Sequence, residues 1–148
     1  TASHNTVQFD QHLQMPRLSR FLFASWLKPI NLQYAKDKFV CGYKDFWDCH
    51  HERAIALKNN SICILDTISG FKDEAVLRWR LQPGDWVLNG FKLSNGKVEI
   101  QIDAEHCEDI CITNGYESRY YYQKTVLPVL ELKLKQPTTI NTVIKDIS

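Results

Sequence analysis

The sequence predicts an all-β fold, an antiparallel β-sandwich with supersandwich-like layers, on three observations. Short runs rich in β-branched and aromatic residues recur after residue 37, turn dipeptides separate them at close intervals, and no segment carries a helical stripe long enough to compete. In chain order, Val7 and Phe9 alternate against Thr6, Gln8 and Asp10, the period-2 pattern of a first strand. Gln11 to Asp37 contains Pro16 and Pro29 and has no clean period, which predicts a long N-terminal loop region. Strands are then expected at Lys38 to Tyr43, Arg53 to Lys58, Ile62 to Asp66, Ala75 to Leu81, Trp86 to Leu88, Phe91 to Leu93 and Val98 to Asp103. Turns fall between them at Asn59-Asn60, Ser69-Gly70, Pro83-Gly84, Asn89-Gly90 and Asn95-Gly96. The last is read as a tight two-residue hairpin, because Asn and Gly tolerate positive φ. Three more strands are expected at Arg119 to Gln123, Val126 to Lys133 and Ile140 to Ile144, with Leu130, Leu132 and Leu134 forming a dry face.

A chain of 148 residues with 44% apolar content fits one domain with a core of its own. It opens at Thr1 with no methionine or leader, inside what reads as a strand, and is expected to be a piece of something longer. With 18 Lys and Arg against 17 acids it exerts no long-range pull on polyanions, so neither nucleic acid nor membrane is an expected partner. No run of apolar residues is long enough to span a bilayer, and the sequence carries no visible address. Five cysteines without a Cys-x-x-Cys pair argue against a zinc ribbon and a paired disulfide framework. Cys41 and Cys63, in apolar runs, are expected to be buried thiols.

Two local constellations stand out. Residues 11–44 carry Arg17, Arg20, Lys28, Lys36, Lys38 and Lys44 against Asp37 alone, interleaved with Phe21, Phe23, Trp26 and Tyr34. Bases that pair with carboxylate or sulfate beside rings that stack on sugar faces suit an acidic polysaccharide, and Arg17, Arg20 and Trp26 are the binding candidates. A solvated face with aromatics plugged onto the sheet is the competing reading. The second constellation is Asp48-Cys49-His50-His51-Glu52-Arg53. On a strand His51 and Arg53 share a face, whereas His50 and His51 do not, so the two histidines are not a chelate. His51 and Arg53 are open to two roles, pairing with buried polar groups or carboxylates, which is favoured, or binding a substrate. The acids between residues 98 and 118 fit no calcium loop and read as a solvated face.

Ser3-His4-Asn5-Thr6-Val7 with Asp10, Gly42-Tyr43, His51-x-Arg53 leading into Ile64-x-Asp66, and Trp79-x-Leu81-x-Pro83-Gly84 follow one another in a recognisable order. With the closing Gly115-Tyr116-Glu117-Ser118-x-Tyr120 and Thr142-Val143-Ile144, they resemble the carboxy-terminal β-sheet region of the heparinase II/III family over nearly the whole chain. The resemblance implies a polysaccharide lyase, an α-helical toroid followed by β-sandwich layers, that cleaves uronic-acid-containing chains by β-elimination. Residues 1–148 would then be one sandwich domain of a larger lyase, with acidic polysaccharide and the α-toroid as partners and a periplasmic or secreted location. The family's catalytic tyrosine comes from the toroid, so no catalytic residue is named here. By motif position His4 corresponds to a histidine that in some members joins an upstream histidine and aspartate around a metal. Zinc or another divalent ion is implied for the full-length protein and none for this stretch alone. Two non-catalytic alternatives stand beside this reading. One is a carbohydrate-binding module, which requires Phe21, Phe23, Trp26 and Tyr34 to be exposed on one platform; the other is a structural or oligomerisation sandwich.

Overall fold

The computed structural model describes residues 2–148, and among them it contains twelve strands and no helix. In chain order these are β1 (Val7–Phe9), β2 (Lys28–Ala35), β3 (Lys38–Lys44), β4 (His50–Lys58), β5 (Ser61–Ser69), β6 (Ala75–Arg80), β7 (Val87–Asn89), β8 (Lys92–Ser94), β9 (Val98–Ala104), β10 (Cys107–Glu117), β11 (Thr125–Leu134) and β12 (Thr138–Asp146). They form two antiparallel sheets packed as a sandwich, one ordered β1-β6-β11-β10 and the other β2-β3-β4-β5-β12-β9-β8-β7.

The core follows from alternation on both inner faces. Val7 and Phe9 of β1, Ala75, Leu77 and Trp79 of β6, and Leu130, Leu132 and Leu134 of β11 meet Ile64 and Ile68 of β5, Ile100 and Ile102 of β9, Leu93 of β8 and Ile140 of β12. Leu130, Leu132 and Leu134 are fully buried, as their alternation with Glu131 and Lys133 predicts. Strands lie about 4.8 Å apart, so four cannot cover eight, and the flanks of the larger sheet are left to water. Accordingly β2 is exposed along nearly its whole length, and β7 is exposed at both ends.

The structure departs from the sequence expectations at definite points. The region from Gln11 to Asp37 is not all loop: Lys28–Ala35 pairs with β3 as an edge strand, with an irregularity between Ile30 and Gln33. Arg119 to Gln123 is not a strand. It belongs to the connection after β10, where Tyr120, Tyr121 and Tyr122 are all exposed and Tyr122 has φ +62°. The strand in that part of the chain is β10, whose outward acids disguise it. Asn95-Gly96 makes a wider turn than a two-residue hairpin, Ser94 pairing with Glu99 while the Asn95 side chain accepts from the backbone N–H of Lys97 and Val98. The two-residue hairpin lies instead at Gly90-Phe91, with Gly90 at φ +57°. Cys41 and Cys63 are half-buried, and the deeply buried thiol is Cys49. All five cysteines are free, and Cys107 and Cys111, four positions apart on one extended strand, lie too far apart to bridge.

Candidate functional site

The two residues singled out on β4 lie at the centre of the sandwich. Arg53 is directly opposite Asp66 in the β4–β5 register, and His51 is diagonal to it on the same face. That face turns inward, so Asp66 is a fully buried carboxylate between the core residues Ile64 and Ile68. Arg53 grips it with both sides of its fork, Nε donating to Oδ1 at 2.6 Å and Nη2 to Oδ2 at 3.1 Å, while His51 Nε2 meets Oδ1 at 2.7 Å. Two cations or donors thus compensate one buried charge, the condition under which a carboxylate is tolerated in a core. The Arg53 guanidinium lies 4.3 Å from the Trp79 ring of the opposite sheet, and its Nη1 donates to the backbone oxygen of Asn5 at 2.8 Å. Of the two roles open to His51 and Arg53, the structure displays the pairing with a carboxylate. His51 is buried and offers no face to a polymer outside.

Asn5 passes this order outward, accepting from the backbone N–H of Arg80 at 2.7 Å. Beyond it a cavity of about 480 Å³ opens beside β1, lined among others by His4, Gln14, Arg17, Phe23 and Tyr43. Tyr43 faces His51 in the β3–β4 register and meets it ring edge to face at 5.5 Å. Its hydroxyl lies 3.2 Å from the Thr6 hydroxyl, donates to the Val7 carbonyl at 3.3 Å and accepts from Gln14 Nε2. Burial, reinforced by the Asp45 charge, pushes the Tyr43 pKa up to about 12. At neutral pH Tyr43 is therefore a fixed neutral phenol that can donate a hydrogen bond and cannot serve as a resting base.

Over this cavity stands a small finger closed by backbone bonds from Ala24 N to Pro16 O and from Leu18 N to Leu22 O, with Arg17 bridging Phe23. Arg17 sits over the Phe23 ring at 5.3 Å and lines the cavity, whereas Arg20, 5.3 Å from the Phe21 ring, points into solvent. Phe21 is 85% exposed, Trp26 70% and Tyr34 82%, and Phe23, half-covered, lies 5.8 Å from Trp26. Phe21, Trp26 and Tyr34 are not plugged onto the sheet, whereas Phe23 is half-covered at the cavity. The structure brings together His4 and Arg17 at the cavity, sets Arg20 and Trp26 on the finger above, and holds His51 and Arg53 apart in the core.

His4 is exposed, and among the described residues it belongs to no group of His, Cys, Asp or Glu side chains able to enclose an ion. One imidazole does not make a metal site, so the residues described do not fit a bound zinc there. Sequence reasoning missed Tyr43 and Gln14 as site residues; it is the β3–β4 register that sets Tyr43 opposite His51, and no local pattern gives that register. It also missed His12, Asp45 and Cys49, whose donor atoms lie within 4.8 Å of one another.

The fold is a two-sheet antiparallel sandwich of the kind found as the β domain of heparinases. The structure of a heparinase III gene product aligns with a TM-score of 0.77 at 15% identity, covering 97% of this chain and 24% of that one. The heparan sulfate lyase HepC from Pedobacter heparinus aligns with a TM-score of 0.67 at 12% identity, covering 96% of this chain and 24% of its own. This chain therefore spans about a quarter of the length of either protein, and at such identity the likeness is one of fold. No protein-family model matches the sequence, and no curated protein matches it. No helix is long and apolar enough to cross a membrane among the described residues.

Proposed function

We propose that this chain is the β-sandwich domain of a polysaccharide lyase that cleaves uronic-acid-containing chains by β-elimination, supporting the active site without completing it. The observation that carries this reading is the nearly end-to-end fold likeness to the β domain of heparinase III. The cavity and finger agree with it chemically. β-Elimination needs the uronate carboxylate neutralised, a base for the adjacent proton and an acid for the leaving oxygen. Arg17 supplies a cation at the cavity, Tyr43 a neutral hydroxyl that would turn from the Val7 carbonyl to hydrogen-bond a bound polymer, and Phe21, Trp26 and Arg20 a stacking and anion-pairing surface above it. A base is not among these groups, and an α-helical toroid would bring the acid and base. His4 would contribute one ligand to a zinc completed by residues beyond those described. The exposure of Phe21, Trp26 and Tyr34 favours a second reading, a carbohydrate-binding module that holds the same polymer and takes no part in its cleavage.

Calorimetry with heparin, paired with an ultraviolet assay for unsaturated uronate products, tests both. The lyase-domain reading expects binding without turnover, weakened by Arg17→Ala and by Tyr43→Phe in the cavity. The binding-module reading expects loss with Trp26→Ala and none with Tyr43→Phe. Turnover by these residues alone would overturn the claim that they do not complete the site. Failure to bind heparin or any other uronate polymer would overturn both readings.

A further inference from the structure

A cluster that the proposed function does not use lies where the finger leaves the sandwich. Asp45 directly follows β3, and its side chain is closed off from water. One carboxylate oxygen, Oδ1, accepts the backbone N–H of Trp47 and of Cys49, both at 2.9 Å, while the backbone N–H of Asp45 donates to the Cys49 carbonyl at 3.0 Å. This turn fixes Asp45 and Cys49 side by side and leaves Oδ2 free for one partner. That partner is His12, two residues beyond the positive-φ residue Asp10, whose Nε2 approaches Oδ2 to 3.0 Å. Trp47 covers the imidazole, with ring centroids 3.8 Å apart.

Cys49 is only 1% exposed, and its thiol donates to the Gly70 carbonyl at 3.5 Å. Burial first, then the charges of Asp45, Asp10 and Asp48, push its pKa up to about 12. A thiol among carboxylates is a poor place for a thiolate and a good place for a cation, which reverses that logic by binding the thiolate directly.

We propose that His12, Asp45 and Cys49 are three ligands of a site for a thiophilic divalent cation of the zinc type, with water as the fourth. Their three donor atoms lie within 4.8 Å of one another. Tetrahedral zinc with nitrogen, oxygen and sulfur ligands spaces its donors about 3.3–3.7 Å apart, so shifts of about an ångström complete the shell. Because Oδ1 is already committed to two backbone donors, Asp45 binds through Oδ2 alone. On binding, the Cys49 thiol releases its proton to solvent, and the proton that His12 Nε2 donates to Asp45 Oδ2 without the ion leaves that nitrogen, Nδ1 carrying the ring's one remaining proton. Of the three ligands His12 is the one in contact with solvent, its side chain being 17% exposed. The bound ion would clamp the segment entering the finger to the β3–β4 turn, making presentation of Arg17, Arg20 and Trp26 metal-dependent. His4 takes no part in it.

Cobalt titration of the untagged 148-residue chain tests the proposal, since a thiolate bound to Co²⁺ gives a near-ultraviolet charge-transfer band. The expected result is a band saturating at one equivalent, release of protons on binding, and displacement by zinc. Cys49→Ser abolishes the band, while Cys41, Cys63, Cys107 and Cys111 remain as internal controls. His12→Ala, a change on a partly exposed loop, leaves the circular dichroism intact and weakens cobalt binding more than tenfold, because loss of an outer partner of a ligand already costs on the order of 10–100-fold. It also removes the zinc-dependent rise in Tm. No saturable band, or a band of unchanged affinity in His12→Ala, would overturn the site.

Discussion

At the residue scale the decisive group is Asp66. A carboxylate with no exposed surface survives in a core only because Arg53 and His51 satisfy it, and each of these in turn orders something else. Arg53 reaches Asn5 and lies over Trp79, and His51 meets Tyr43 at the cavity wall. Asp66→Asn keeps the shape and removes the charge, leaving a largely buried guanidinium without its counterion. The expected loss is about 3–5 kcal/mol in urea unfolding, as for other buried pairs broken on one side. A loss below about 1 kcal/mol would mean that the pair behaves like an exposed one and that the cavity is not organised from the core. This part of the molecule was open to sequence reasoning, because period 2 alone places His51 and Arg53 on one face. Their partner was not, since no local rule says which inward carboxylate a register will bring opposite Arg53. The cluster of His12, Asp45 and Cys49 was hidden for the same reason: 33 residues separate the first two.

At the element scale, the strands that follow alternation were legible and the two that do not were missed. In β2, Lys28-Pro29-Ile30-Asn31-Leu32-Gln33-Tyr34-Ala35 has no buried face to impose a period, because the smaller sheet does not reach it, and Pro29 is tolerated at an edge. In β10 the exposed acids are affordable because the strand is the other sheet's edge. Conversely, the tyrosines at 120–122 have strand propensity but no neighbour to pair with. Turns were easier to read, and Gly70 shows the physical reason. It lies at φ +85°, and a Cβ there would stand 2.5 Å from the Asp48 carbonyl oxygen, so both backbone conformation and space demand glycine. Gly90, at φ +57° with nothing within 4 Å, makes only the first demand. Gly70→Ala should therefore destabilise by about 2–4 kcal/mol, and Gly90→Ala by about 1–2 kcal/mol. Thermal unfolding of the two variants side by side checks this, and equal losses would show that the approach of Gly70 to the β3–β4 turn is not tight.

At the scale of the whole molecule, the question is what holds the first strand of one sheet to the chain that crosses between sheets. The connection from β5 to β6 passes from the larger sheet to the smaller, and Asp10, just after β1, receives it. Its Oδ1 accepts the backbone N–H of Lys72, Asp73 and Glu74 at 3.2, 2.8 and 3.0 Å. Burial acts to raise the Asp10 pKa, but these three donors and the nearby His12 outweigh it and bring it below the ordinary 3.8. A folded value below the unfolded one means that the stabilisation is present above about pH 4 and is lost as pH falls through the lowered value. Asp10→Asn removes the charge while tolerating the φ of +44° at this position. The wild type should thus be the more stable at neutral pH, by about 1 kcal/mol, with the difference closing below about pH 4. Denaturant curves of both proteins between neutral and acid pH measure that difference directly. A constant gap would mean that the carboxylate charge is not what fastens β1 to the crossover. Because β1 also precedes the finger, a gap that closes in acid would tie the anchoring of the candidate binding surface to the protonation of one carboxylate.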